Sequence, residues 1–254
     1  MYRLRFTTIV AAPLTVAFDV ARALGRPWPV PLAEVESVRP VRDVYALAPG
    51  GPWRSLVHTR RFTATGAGTR VDEVVEWETV LPAPLGALAD RAVLRRRVAR
   101  SMRRHLDGYA AAAARQALDV VQVVGAAIVR GDRVLVAQRG GTGPLAGRWE
   151  FPGGKVEPGE EELAGLAREC AEEMGVVVLP GEFLGEVPLD GAVAGGVPDT
   201  TTLRVWSACL VEGEPVAREH RELRWARAGE LEALDWIPAD RPLLPAVRAL
   251  LTRR

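Results

Sequence analysis

The stretch Gly154-Lys155-Val156-Glu157-Pro158-Gly159-Glu160-Glu161-Glu162-Leu163-Ala164-Gly165-Leu166-Ala167-Arg168-Glu169-Cys170-Ala171-Glu172-Glu173-Met174-Gly175-Val176 decides how the second half of this chain folds. At about 100° per residue on a helix, Glu169, Glu172 and Glu173 fall within an arc of about 100°. Leu163, Leu166, Ala167, Cys170 and Met174 occupy the neighbouring arc. One face is acidic and the other belongs in a core, which predicts a helix near Glu160 to Met174. Gly175 suits a left-handed helix end. Cys170 sits among the core positions with nothing nearby in sequence to activate it. Just before the helix, Pro152-Gly153-Gly154-Lys155 bends the chain tightly and can bring a backbone carbonyl beside the carboxylates.

Three carboxylates so close resist full ionisation unless a hard cation neutralises them. Oxygen donors of this kind point to Mg2+, with Mn2+ as a substitute. Arg168 and Glu172 stand four residues apart and can pair, which would hold an acidic side chain in place. A cation held this way neutralises phosphate charge and lowers the pKa of water, so hydrolysis of a phosphoanhydride is the natural reaction class. Glu161 and Glu162 read as solvated surface.

Outward from this stretch, the composition sets bounds. The chain has 254 residues, 48% apolar and 26% charged, enough for two modest domains with their own cores. The first twenty residues are broken by Arg3, Arg5, Pro13 and Asp19, and no later apolar run reaches the roughly 18 to 20 residues of a bilayer crossing. No membrane span is expected. Two cysteines, Cys170 and Cys209, fit a reducing cytoplasm better than a disulfide framework. Residues 1–118 carry 18 basic and 10 acidic groups, and residues 119–254 carry 15 and 22. Two units with different charge balance follow, divided near residues 117 and 118, and no nucleic-acid partner is expected, the acidic half arguing most directly against one.

In the first half, strand patterns cover Tyr2 to Val10, Ser37 to Leu47, Trp53 to Thr65 and Thr69 to Val80, with a short helix from about Leu14 to Leu24. A long helix is expected over Leu85 to Ala114, with Leu94, Val98, Met102, Leu106 and Tyr109 on one face. Arg95, Arg96, Arg97, Arg100, Arg103 and Arg104 fill the remainder and read as a solvated face. Phe6-Thr7-Thr8-Ile9-Val10-Ala11-Ala12-Pro13, His58-Thr59-Arg60-Arg61-Phe62 with Gly68-Thr69-Arg70-Val71, and Pro84-Leu85-Gly86-Ala87-Leu88 resemble the START-like (SRPBCC) helix-grip family over residues 1–117. That resemblance implies an antiparallel sheet gripping a long C-terminal helix, and an apolar small ligand between them.

In the second half, Val121 to Val129 and Arg133 to Arg139 pair as a hairpin through Arg130-Gly131-Asp132, Thr202 to Val211 is a further strand, and a helix covers Pro242 to Leu251. The opening stretch is similar to the signature box of the Nudix hydrolases, with every position filled. Its nine specified positions would arise by chance with a probability on the order of 10⁻⁷ per chain. Leu135-Val136-Ala137-Gln138-Arg139, Leu145 to Lys155, and Trp236-Ile237-Pro238-Ala239-Asp240-Arg241-Pro242 resemble the MutT branch, in particular its CTP pyrophosphohydrolase-like members.

The resemblance implies a Nudix α/β/α sandwich over residues 118–254, making the whole chain α+β. It implies a nucleoside triphosphate substrate cleaved to a monophosphate and pyrophosphate. Glu169, Glu172, Glu173 and the carbonyl of Gly153 would hold metal, Arg168 would steady them, and Glu219 from a later loop would complete the site as ligand or base. Asp240 would lie in the base pocket, where a carboxylate accepts from the cytosine N4 amino group, or, protonated, serves 8-oxo-dGTP. Arg139 would contact phosphate or ribose. Lys155 and Trp236 complete the candidate substrate contacts. His58 and His105 read as structural, and His220 is notable only for its neighbour Glu219. A different class of reading is a module that senses a nucleotide without turning it over.

Overall fold

The computed structural model describes residues 1–28, 30–47, 53–79, 93–189 and 201–253. The chain forms two compact units, Met1–Asp119 and Val120–Arg254. Among the described residues no helix is long and apolar enough to cross a membrane.

Among the described residues, the first unit is a five-stranded antiparallel sheet with two helices. Its strands are β1 (Tyr2–Val10), β2 (Leu32–Val38), β3 (Arg42–Leu47), β4 (Trp53–Thr65) and β5 (Gly68–Thr79), in the order β1-β5-β4-β3-β2. The single strand expected over Ser37 to Leu47 is a hairpin instead, because Pro40 has no N–H to give to a ladder and the chain turns there. Alternation with period two buries Leu56, His58, Arg60 and Phe62 of β4 and Val71, Glu73, Val75 and Trp77 of β5 on one face. Helix α1 (Leu14–Ala23) packs on helix α2 (Arg95–Ala117), and α2 also packs on β1. The apolar stripe of α2 is buried as its spacing predicts, and the Tyr109 hydroxyl donates to the Ala17 carbonyl at 2.9 Å. Residues 85–92 of the expected long helix lie outside the described residues.

Four ionisable side chains lie at the centre of that buried face. Arg60 donates to both oxygens of Asp43, and His58 Nε2 stands 2.6 Å from Glu73, with each of the four at most 1% exposed. Trp28 Nε1 donates to His58 Nδ1 at 3.2 Å, which leaves the imidazole proton on Nε2, facing Glu73.

The second unit is a mixed six-stranded sheet of β6 (Gln122–Arg130), β7 (Arg133–Gln138), β8 (Trp149–Glu150), β9 (Val177–Pro188), β10 (Thr202–Glu212) and β11 (Glu222–Arg227). The order is β11-β7-β6-β10-β9, with β8 paired to β7 and only β6 and β10 parallel. Helix α3 (Glu162–Met174) buries Leu166, Cys170 and Met174 against one face, with Val124, Ala126 and Ile128 of β6. Helix α4 (Leu244–Thr252) buries Leu244, Val247 and Leu251 in the opposite cluster, with Ala127 and Val129. Strands β9 and β11 have no counterpart in the sequence reading. The tight turn Pro152 to Lys155 joins β8 to the approach to α3, and this places the acidic end of α3 beside the β6 backbone.

Candidate active site

The glycine pair makes that close approach possible. Gly153 has φ +146°, and a β-carbon there would run into the Val124 carbonyl. A β-carbon on Gly154 would fall 2.6 Å from Glu169 Oε1, so the Glu169 carboxylate rests directly on the turn. The Gly153 amide donates to Glu173 Oε2 at 3.1 Å. Two box carboxylates are thereby set against one short length of backbone.

Arg168 organises the others. Its guanidinium grips Glu160 through Nε and Nη2, both at 2.9 Å, and reaches Glu169 at 3.0 Å and Glu172 at 3.1 Å. It also donates to the Lys155 carbonyl at 3.0 Å. Arg168, and then the Glu157 amide, hold the Glu160 carboxyl down to about 2. The expected pair with Glu172 is present, yet the bidentate grip on Glu160 is the stronger geometry. Burial, opposed by His220 and the Gly153 amide, pushes the Glu173 carboxyl up to about 7.

A cleft of about 520 Å³ opens beside these groups, walled by Arg139, Glu150, Phe151, Gly153, Glu173 and Asp240, with Lys155 at its edge. Asp240 is 1% exposed. Its Oδ2 accepts from the Phe151 amide at 3.0 Å, while Oδ1 is buried with no partner among the described residues. Burial raises its carboxyl well above the ordinary value, with the Phe151 amide working against the shift. Arg139 pairs with Glu150 at 2.5 Å and remains half exposed toward the cleft.

Two of the sequence candidates stand elsewhere. Trp236 is 1% exposed, gives its N–H to the Leu231 carbonyl and packs on Phe151, so it shapes the wall from behind and offers no open face for stacking. Glu219 is exposed and lines a smaller recess with Arg139 and Gly140, apart from the box carboxylates. The residue that does reach them is its neighbour. His220 Nε2 lies 3.6 Å from Glu150 and 3.9 Å from Glu173, with the side chain 5% exposed. Burial works to lower the His220 pKa, but Glu150 and Glu173 raise it on balance.

Glu150 and His220 were not picked out from the sequence. The signal available for Glu150 was a charged residue between Trp149 and Phe151 directly ahead of the glycine turn. The loop carrying His220 is anchored on the end of α3: Val216 N donates to the Met174 carbonyl and Arg218 N to the Glu173 carbonyl, both at 3.1 Å. Gly175, at φ +70°, ends α3 in the left-handed region, and the Arg218 side chain occupies the space a β-carbon would need while donating to the Ala171 carbonyl.

The residues present fit a hard cation, since Glu169, Glu172, Glu173 and the Gly153 carbonyl all offer oxygen. Among the described residues no three acidic, histidine or cysteine side chains form a ready cage. Arg168 engages Glu169 and Glu172, so these carboxylates would exchange partners on binding a cation.

A NUDIX domain profile matches residues 120–247. "Putative 8-oxo-dGTP diphosphatase 2" of Mycobacterium tuberculosis is 55% identical over 119 residues, covering 47% of this chain and 82% of that protein. "CTP pyrophosphohydrolase" of Escherichia coli is 36% identical over 137 residues, covering 54% of this chain and 98% of that one. The solution structure of the E. coli ORF135 protein aligns with 34% identity and a TM-score of 0.44, over 53% of this chain and 93% of that one. The chain belongs to the NUDIX family and is a Nudix hydrolase, a nucleotide pyrophosphohydrolase. The match lies within the second unit.

Proposed function

We propose that this enzyme is a Mg2+-dependent nucleoside triphosphate diphosphatase that releases a monophosphate and pyrophosphate from cytidine nucleotides or 8-oxo-dGTP. The observation that carries the substrate class is Asp240: a buried carboxyl at the cleft wall with one oxygen fixed by the Phe151 amide and the other without a partner. Ionised, it accepts from a cytosine amino group. Protonated, as its burial favours, it donates to an oxidised guanine. The relatives named for CTP and for 8-oxo-dGTP support the same two bases.

Glu169, Glu172, Glu173 and the Gly153 carbonyl are the proposed metal ligands; Glu219, exposed on its loop, would have to move in to join them. When bound there, Mg2+ would neutralise phosphate charge and acidify a water. Arg168 holds Glu160, Glu169 and Glu172 in register, Arg139 and Lys155 bind phosphate or ribose, and His220, placed between Glu150 and Glu173, braces Glu173. For the first unit we propose a START-like helix grip whose interior is closed by the Asp43–Arg60 ion pair and the His58–Glu73 hydrogen bond. An apolar ligand there would have to displace Asp43–Arg60 and His58–Glu73, and organic extraction of the purified chain tests for one.

The deciding experiment measures pyrophosphate release with Mg2+ from dCTP, CTP, 5-methyl-dCTP, 8-oxo-dGTP, dGTP and dATP, beside Glu173→Gln. Selective turnover of a cytidine nucleotide or 8-oxo-dGTP, lost in the variant, is expected. Equal turnover of all six would overturn the substrate assignment, and no turnover of any would favour a nucleotide sensor.

A further inference from the structure

Helix α2 carries an arginine face that the hydrolase chemistry does not use. Arg96, Arg97, Arg100, Arg103 and Arg104 are exposed and span an arc of about 120°, opposite the buried stripe of Val98, Met102, Leu106 and Tyr109. None of the five meets a carboxylate among the described residues, and Asp107 is the only acid in the helix. Much of the sheet behaves differently, since Arg3, Arg22, Arg39, Arg42 and Arg70 each pair with a nearby Asp or Glu. Arg5, Arg54 and Arg61 also meet no carboxylate among the described residues, but they are dispersed over β1 and β4, whereas on α2 five such arginines gather on one face of one helix.

We infer that this face is a docking surface for the phosphate backbone of a nucleic acid duplex. Arg96 to Arg104 covers about 12 Å of helix. A duplex carries one charge per about 1.7 Å of its axis, so about seven phosphates pass along that length. The guanidinium fork suits phosphate oxygens. The two rings of α2 lie off this face, Tyr109 in the buried stripe and His105 outside the arginine arc, so the face holds no platform for stacking unpaired bases, and contact is with backbone and without sequence preference.

Other occupants fit less well. The apolar stripe of α2 is spent inside its own unit, so the helix cannot lie in a bilayer with that face in the lipid. In the acidic second unit of another copy, Glu182, Glu214, Glu230, Glu232 and Asp235 are already paired with Arg253, Arg130, Arg224, Arg248 and Arg148 or Arg241. Its exposed acids outside ion pairs, such as Glu157, Glu161, Glu212 and Glu222, come from separate segments: the approach to α3, the end of β10 and the start of β11.

The test uses the full chain and a fluorescein-labelled 20-base-pair DNA duplex of mixed sequence, followed by anisotropy between 50 and 200 mM KCl. Binding is expected to weaken with salt at a logarithmic slope of about −4, from about 0.9 per phosphate contact. Arg96→Glu/Arg100→Glu/Arg104→Glu is expected to bind roughly 30-fold more weakly, with the slope reduced by about 3 and pyrophosphate release unchanged. The matching triple Arg→Gln variant gives an intermediate loss and carries the test if charge reversal prevents folding, as judged by circular dichroism. No duplex binding at 50 mM KCl overturns the inference. So does equal binding by the variants, or binding confined to phosphatidylserine vesicles, or salt-sensitive self-association without duplex binding. The inference is independent of the hydrolase reading, since the duplex assay contains no nucleotide substrate.

Discussion

Glu169 rests on Gly154: any side chain at position 154 would occupy the space its carboxylate fills. Gly154→Ala is therefore expected to push Glu169 off the turn while leaving the fold intact. We expect Mn2+ affinity, measured by calorimetry, to fall about 10- to 100-fold, as for loss of a supporting group at a metal site. Unchanged Mn2+ affinity would mean that Glu169 reaches metal from another position.

His220 stands between Glu150 and Glu173, and its Nε2 is the atom that faces both. His220→Ala removes that brace and is expected to lower kcat about 10- to 100-fold with little change in KM. His220→Gln, which keeps a nitrogen near the Nε2 position, should recover part of the loss, whereas His220→Asn should not. Equal defects in all three variants would point to packing alone.

Asp240 makes stability depend on pH. Its carboxyl is raised well above the ordinary 3.8, so the folded state holds a proton that the unfolded chain has released. The second unit should then lose stability as pH rises from about 3.8 toward the folded-state pKa. Asp240→Asn removes the titration, so the stability difference between variant and parent should move in favour of the variant across that window. Urea unfolding of both proteins at several pH values checks this; parallel curves would show Asp240 to titrate normally.

The same residue governs substrate choice. Asp240→Ala should cost the preferred nucleotide about 10- to 100-fold in kcat/KM, equivalent to about 1–3 kcal/mol of base discrimination, and dATP much less. A uniform loss over all substrates would place Asp240 outside base recognition.

In the first unit, Asp43→Ala leaves Arg60 buried without its counter-ion. The expected cost is about 3–5 kcal/mol, seen as an earlier unfolding transition in urea. A change under about 1 kcal/mol would mean that water reaches Arg60.

Much of this was legible because short-range spacing carries it. The helical arcs around Glu169 and Glu173, the glycine turn and the left-handed Gly175 follow from periodicity and backbone freedom. Arg168 was matched to Glu172 by spacing, whereas its bidentate partner Glu160, eight residues away, depends on how the turn at Gly159 brings the chain back. Glu219 and His220 differ by one position, and only the anchoring of their loop decides which side chain faces Glu173. Strand β9 eluded the pattern because its residues are largely half-exposed, without clean alternation. The charged centre of the first sheet hid within strands that otherwise read as apolar, since Asp43, Arg60 and Glu73 come from three separate strands.

The Arg218 clasp on the end of α3 has a consequence for how such loops can be exchanged. Val216, Arg218 and Arg221 fasten the segment at Met174, Glu173 and Gln138, so its span is gauged against the helix end and β7 at once. A graft at residues 213–221 would retain His220 in place only with the same number of residues between these fastenings and an arginine kept at position 218. Sequence drift is tolerated there; a change of length is not.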